Sequence, residues 1–471
     1  MAFVRHLHRL GWESTVLTVE PGDEPLDEDL LGRIPPSTVI IRTPWVDLIE
    51  SLKNLRRAER TAGHSVSADP SAHRQPAMDH RPFLREWFSR FLITPDSRLG
   101  WIPSAFRAGL EAVRHRRPEV IYSTSPYMSS HLIALILHRC TRIPWVADFR
   151  DPWVDNPFHQ LGFPSLRAWD SSLEWMVLRG ASRVVCNTPT MTETLCRRRP
   201  WVARKCATIM NGIDRDLMGG ITPIRVASAK DFVLTHCGQF YGPRSPRVWF
   251  GALGRIRRES PALAAGVHLV LVGRESYQGR PLRDWADEAG VADRVHVVGP
   301  KCHGETLAYM AGSDALILSA PSGSGDDRQI PNKLFEYLGV QKPIVAAVPT
   351  SSPIAAVLRE ARAEAICCPP DDERAIADAV TDLMLRPRRA TPEAWSGVGR
   401  FDRAHRAEEL ERLFRQVARV RRTRSGRVLA TGEKSARSAL PPASPERSES
   451  VDHEGVRLPL TSDGGFRTVA R

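Results

Sequence analysis

No stretch of the sequence approaches the ~20 consecutive apolar residues that a membrane-spanning helix requires, which argues against an integral membrane protein. Eight cysteines are scattered along the chain with no C-x-x-C pair and no histidines at zinc-finger spacing, although Cys367 and Cys368 are adjacent. A structural zinc site or a disulfide framework is therefore not expected. Cys140, Cys186 and Cys237 lie in or beside apolar segments and read as buried, reduced thiols, which suits a cytoplasmic protein. Arg5, His6, His8 and Arg9 interrupt the first apolar stretch, so no signal peptide is recognised. Acidic residues are in the minority: 54 Asp and Glu stand against 66 Lys and Arg, a net charge of +12. That balance favours polyanionic partners such as nucleic acid, anionic lipid headgroups or phosphorylated substrates. Much of the excess is arginine on expected surface helices and in the tail, where a plain solvated surface explains it as well. The basic residues are dispersed and no recognition motif stands out, so nucleic acid is not expected as a partner.

At 471 residues the chain exceeds one ordinary domain, since roughly 150 residues per domain is a usual size. A helical face formed by Phe3, Val4, Leu7 and Leu10 opens the sequence and stops at Gly11. Short β-rich runs then alternate with amphipathic stretches: 14–19, 37–42, 119–123, 144–149, 182–186 and 206–210. A turn-rich segment from Asn211 to Lys230 reads as a linker. A second series follows with strands expected at 232–237, 268–272, 295–298, 315–318, 343–347 and 365–368. Strand–helix–strand order of this kind predicts an α/β protein with parallel sheets covered on both faces.

Between residues 48 and 107 the alternation breaks into a basic, polar insertion. It ends in Phe83, Trp87, Phe91, Leu92, Trp101 and Phe106, interleaved with Arg85, Arg90, Arg98 and Arg107. These aromatics fit two readings, a peripheral membrane contact through 83–107 or packing back onto the domain. Leu410, Leu413, Phe414 and Val417 mark one face of a helix over 401–420, and the composition of 421–471 predicts disorder.

Three constellations carry candidate chemistry. Trp145 to Phe149 describes a buried strand emptying into Arg150, Asp151 and Pro152, and loops at the carboxyl ends of such strands form the ligand crevice. Asp148 and Asp151 are candidates to orient an acceptor hydroxyl, with Arg150 pairing one of them or a phosphate; an ion pair that merely fixes the loop is the competing reading. In the second, the strand ending at Cys237 runs into Gly238 and reaches Arg244. Glycine lets a phosphate approach the backbone, and arginine offers a planar fork of donors. In the third, Pro331 suits the first turn of a helix whose free N–H groups attract anions. Lys333 adds charge there, and Glu336 can accept hydrogen bonds from ribose hydroxyls; a surface Lys/Glu pair is the plainer alternative.

Taken in order, Asp148–Trp153, Asn211–Asp214, Gly238–Pro246, Asp293–Ser319 and Pro331–Val345 resemble a family 4 (group 1) glycosyltransferase over roughly residues 1–420. The resemblance implies a GT-B fold, with two Rossmann-like domains facing a cleft: an acceptor domain over 1–215, a donor domain over 229–388 and a helix within 389–420 returning to the first. It implies a nucleotide diphosphate sugar as donor substrate, a glycan or lipid-linked acceptor, no required metal or other cofactor, and retention of anomeric configuration. By this likeness Arg244 and Lys333 bind the donor diphosphate and act in catalysis. Gly238, Gly299, Pro331, Asn332, Leu334 and Glu336 line the nucleotide site, with Glu336 on the ribose. Cleaving a sugar–diphosphate bond develops negative charge on the leaving phosphate, which fixed cations stabilise.

The sequence departs from the family twice. Arg328 stands eight positions before Glu336, where relatives carry a second glutamate, and Asp326 or Asp327 is the candidate replacement at the donor sugar. The chain also opens in what resembles the first helix, so the first domain is expected to lack its N-terminal strand, as from a truncated or misassigned start. An active enzyme of surface polysaccharide or glycolipid assembly at the inner membrane face is the leading expectation. Its alternatives are a non-catalytic nucleotide-sugar-binding or scaffold protein and a GT-B-fold nucleotide-sugar epimerase.

Overall fold

The computed structural model describes residues 2–22, 27–48, 50–51, 81–154, 156, 162–320, 329–386 and 395–419. The expectations for Asp326, Asp327, Arg328 and the tail lie outside these residues. The chain opens in helix α1 (Ala2–Arg9), and strands β1 (Thr15–Val19) and β2 (Val39–Thr43) follow as a parallel pair. A second parallel sheet has the order β3-β4-β5-β6, with β3 at Ile121–Thr124, β4 at Trp145–Phe149, β5 at Arg183–Cys186 and β6 at Cys206–Thr208. All five residues of β4 are buried, as expected of an apolar strand covered on both faces.

The pair β1–β2 and the sheet that starts at β3 are not hydrogen-bonded to each other. Helix α4 (Ile102–Arg116) spans them, packing on β1 and β2 and against the helix Ser129–Thr141 that covers β3. Trp101 and Ala105, with Ile133 and Leu137, form the apolar cluster at this junction, against which Leu17, Phe106 and Ile121 pack. Thus Trp101 and Phe106 from the aromatic segment turn inward. The preceding helix α3 (Arg81–Phe91) instead leaves Phe88 42% exposed.

The second half is one six-stranded sheet of order β9-β8-β7-β10-β11-β12. Its strands are β7 (Phe232–Cys237), β8 (Val267–Val272), β9 (Val295–Gly299), β10 (Ala315–Ser319), β11 (Ile344–Ala347) and β12 (Ala365–Cys368). The chain works outward from β7 in one direction and from β10 in the other. Their carboxyl ends therefore flank a topological switch point, where ligands of open α/β sheets bind.

The halves are joined twice. Ile213 N–H donates to the Phe401 carbonyl at 2.7 Å, and Arg403 N–H donates to the Ile213 carbonyl at 2.9 Å. A helix over 403–419 then buries Leu410, Phe414 and Val417 against Leu7, Val146, Val185 and Ile209.

All eight cysteines are free. Cys186 and Cys237 are buried, but Cys140 is exposed, because it falls on the outer face of its helix. Among the described residues no helix is long and apolar enough to cross a membrane.

Candidate active site

A cavity of about 340 Å³ opens between the two halves at the switch point. The first half contributes Arg150, Asp151, Asn187 and Asn211. Facing them are Gln239, Tyr241 and Arg244 from the loop after β7, and Pro331, Asn332 and Lys333 from the start of helix α11 (Asn332–Val340). Pro331 stands just ahead of the helix with an extended backbone and accepts from Leu334 N–H at 3.1 Å, so Asn332 and Lys333, which line the cavity, are the first-turn residues whose N–H groups have no partner within the helix.

Local chemistry explains why these groups converge. Gly238 has φ of +104°, a left-handed backbone that a side chain would strain, and a Cβ there would lie 3.1 Å from Lys333 Nζ. The neighbouring Gly273 is required for the same reason, since its Cβ would meet the Gly238 carbonyl at 2.2 Å. Tyr337, fully buried, accepts from Cys237 N–H at 3.1 Å and donates to the Ile317 carbonyl at 3.2 Å, which pins α11 to the ends of β7 and β10.

Lys333 rests on a residue that the sequence did not single out. His236 is buried, stacks on Phe240 at 4.1 Å, and lies 3.3 Å through Nδ1 from the Ile317 carbonyl. A carbonyl only accepts, so Nδ1 carries the hydrogen. Burial and then the Lys333 charge hold the His236 pKa well below its ordinary value, so the ring is neutral. Its Nε2 lone pair therefore accepts from Lys333 Nζ at 3.3 Å. Burial, then the Arg244 guanidinium, lowers the lysine pKa to about 8. Arg244 itself is buried and donates to the Tyr241 hydroxyl at 2.5 Å.

The expected site residues divide by position. Arg244, Lys333, Pro331, Asn332, Arg150 and Asp151 meet at the cavity. Asp148 does not: it is fully buried and accepts from Tyr122, from Thr124 Oγ1 at 3.0 Å and from Arg150 Nε at 2.7 Å. It braces Arg150, which also reaches the Ile209 carbonyl at 3.1 Å. Leu334 has its side chain wholly in the core and offers only backbone. Gly299 ends β9, accepts from Gly273 N–H at 3.0 Å and stands outside the cavity lining.

Glu336 borders a second cavity of about 300 Å³, with Arg5, Arg33 and Asp214 across from it. Its Oε1 lies 3.0 Å from His303 Nε2 and 3.2 Å from Asn332 Nδ2. Arg403, another residue not foreseen, donates to the Gly212 carbonyl and to Asn332 Oδ1, each at 3.0 Å, linking the crossing segment to the start of α11. Among the described residues one group close enough to share an ion is His6, Asp214 and Asp216. Its carboxylates already pair with Arg5 and Arg9.

Two family models account for most of the chain: residues 1–217 match Glycosyltransferase Family 4 and residues 231–386 match Glycosyl transferases group 1. The chain belongs to the family 4 (group 1) glycosyltransferases. No curated protein matches it in sequence. Among solved structures it is similar to the sucrose-phosphate synthase of Thermosynechococcus elongatus (TM-score 0.54, 17% identity, 88% of this chain and 91% of that one). It is similar also to Anabaena HepE in complex with UDP (TM-score 0.51, 15% identity, 86% and 100%). A Rickettsia africae glycosyltransferase shares the fold as well (TM-score 0.51, 10% identity, 86% and 98%). The fold is thus the GT-B type, and this glycosyltransferase is a nucleotide-sugar-dependent transferase by family.

Proposed function

We propose that the cavity at the switch point holds the diphosphate of the donor and that the enzyme passes its sugar to a glycan or lipid-linked acceptor. The observation that carries this reading is the convergence of Arg244, Lys333 and the open N-terminus of α11 on one 340 Å³ space. In the transfer, the bond from the anomeric carbon to the β-phosphate oxygen breaks and its electron pair stays on the phosphate. Arg244 and Lys333 meet the charge that develops there, with no reorganisation at the moment of reaction. The acceptor hydroxyl oxygen, oriented by Asp151, forms the new bond from the first-domain side, and its proton passes to the departing phosphate oxygen. Glu336 takes the ribose hydroxyls, and retention of configuration follows the family. The UDP complex of HepE supports a nucleoside diphosphate in this position, and the chain's own cations supply the charge that a metal would otherwise provide.

The reading extends to peripheral docking on a membrane bearing the acceptor, in assembly of a surface polysaccharide or glycolipid. Phe88 and Trp169 are each 42% exposed, Phe91 stacks on Trp87 at 5.4 Å and meets Trp169 at 6.0 Å, and Arg90 of the same helix lies over the Phe163 ring at 5.8 Å.

Turnover against a panel of nucleotide sugars tests the assignment. Arg244→Ala or Lys333→Ala is expected to lower kcat by about 10²–10³, the usual cost of one electrostatic donor in a transition state. Full activity in both variants, or no transfer from any donor by the unaltered enzyme, would sink it.

A further inference from the structure

His303 begins a helix of the second half, His303–Ala311. Its backbone N–H, which has no partner within that helix, donates to Asp27 Oδ2 of the first half at 2.9 Å. Asp27 is itself the N-cap of the short helix Glu28–Gly32, and its Oδ1 accepts from Leu30 N–H at 3.0 Å. One carboxylate therefore caps two helices, one from each side of the cleft. The imidazole of the same His303 lies 3.0 Å from Glu336 Oε1, and the Asn332 amide lies on that oxygen too. Both contacts fall on Oε1, and Glu336 lines the second cavity.

We propose that Asp27, His303 and Glu336 form a relay that makes the ribose-binding posture of Glu336 conditional on closure of the two halves. His303 acts as a positioning residue: it holds one carboxylate oxygen so that the other presents to a ribose hydroxyl. Asp27 supplies the conditional part, because its hold on the His303 backbone exists only while the halves are together. The electrostatics agree with the geometry. The Glu336 hydrogen bond raises the His303 pKa, and the His303 N–H is the first cause of the lowered Asp27 pKa. Of the other charges lining this cavity, Arg403 and Asp214 are already tied to the crossing segment and to Arg5.

The inference rests on the reading of Glu336 as the ribose group, so the experiment separates the two. Affinities of UDP, ADP and GDP, each against its 2′,3′-dideoxy counterpart, are measured by calorimetry on the full chain. The ribo-over-dideoxy preference isolates what Glu336 does from what the diphosphate cations do. Glu336→Ala is expected to abolish the preference. His303→Ala and Asp27→Ala are expected to reduce it about tenfold, as for loss of one charge-assisted hydrogen bond. His303→Gln, whose amide can still donate to Oε1, is expected to restore most of it, and affinity for the dideoxy compounds should change little in any variant. A merely structural role would lower affinity for both members of each pair equally. A preference that survives Glu336→Ala overturns the ribose reading. A preference lost in Glu336→Ala but kept in His303→Ala and Asp27→Ala overturns the relay alone. No binding of any of the three nucleotides overturns both.

Discussion

Lys333 shows how one side chain is prepared for an anion. Its ammonium donates to a neutral imidazole on one side, and burial, then repulsion by Arg244, lowers its pKa to about 8. A bound diphosphate stabilises the charged form and raises the pKa. Affinity from this group is therefore full below about 8 and is lost as pH rises through the higher value of the complex. Calorimetry of UDP binding at pH 8 in buffers of different ionisation enthalpy should report proton uptake, and Lys333→Met should remove it. Equal heats across buffers in the unaltered protein would contradict this account. The same scale separates Asp148 from Asp151. Both stood in one loop motif, but Asp148 belongs to the buried strand and its Oδ2 accepts from Tyr122, Thr124 and Arg150, while Asp151 emerges at the cavity.

Among elements, the helix over 403–419 has the clearest consequence. It carries Phe414 edge-on to Trp12 at 5.4 Å and to Tyr122 at 5.5 Å, so it fastens the turn after α1 to β3. Phe414→Ala should cost about 3–5 kcal/mol, the range for a buried phenylalanine, read as an earlier midpoint in urea unfolding. An unchanged midpoint would show that the helix contributes little to the fold. The amphipathic stripe of this helix was legible because Leu410, Phe414 and Val417 recur at helical spacing. The strands were legible to within a residue or two because strands buried on both faces must read as apolar runs. What the spacing alone left open was the aromatic segment. Trp101 goes inward because it follows the turn into α4 and donates to Thr43 Oγ1 at 2.7 Å, while Phe88 sits on the outer face of α3.

For the whole molecule, the contacts that tie the two halves together among the described residues include the paired crossing segments at Ile213 and Phe401, the Arg403 bridge to Asn332, and the Asp27 contact to His303. The donor-side groups are therefore set by contacts across the cleft as well as by their own sheet. The same whole-molecule view gives docking a testable form, since the exposed Trp169 meets Phe91 of the helix that also carries Arg90 and the exposed Phe88. The protein should float with vesicles containing anionic lipid and not with neutral ones, and Phe88→Ser with Trp169→Ser should reduce flotation several-fold at low salt. Equal flotation with neutral vesicles, or none at all, would remove the membrane from the proposed function.

By itself the sequence determined the α/β class, the placement of most strands and the cationic loop and helix start around Arg244 and Lys333. Each of these depends on residues near one another in the chain, where periodicity, glycine and proline leave readable marks. Only the tertiary structure decided what supports them. His236 lies 97 residues from Lys333, Arg403 lies 71 from Asn332 and Asp27 lies 276 from His303. No local pattern encodes such pairs, because residues this far apart in the chain meet only when the second half folds on itself, as for His236 and Lys333, or when the two halves come together, as for Asp27 and His303.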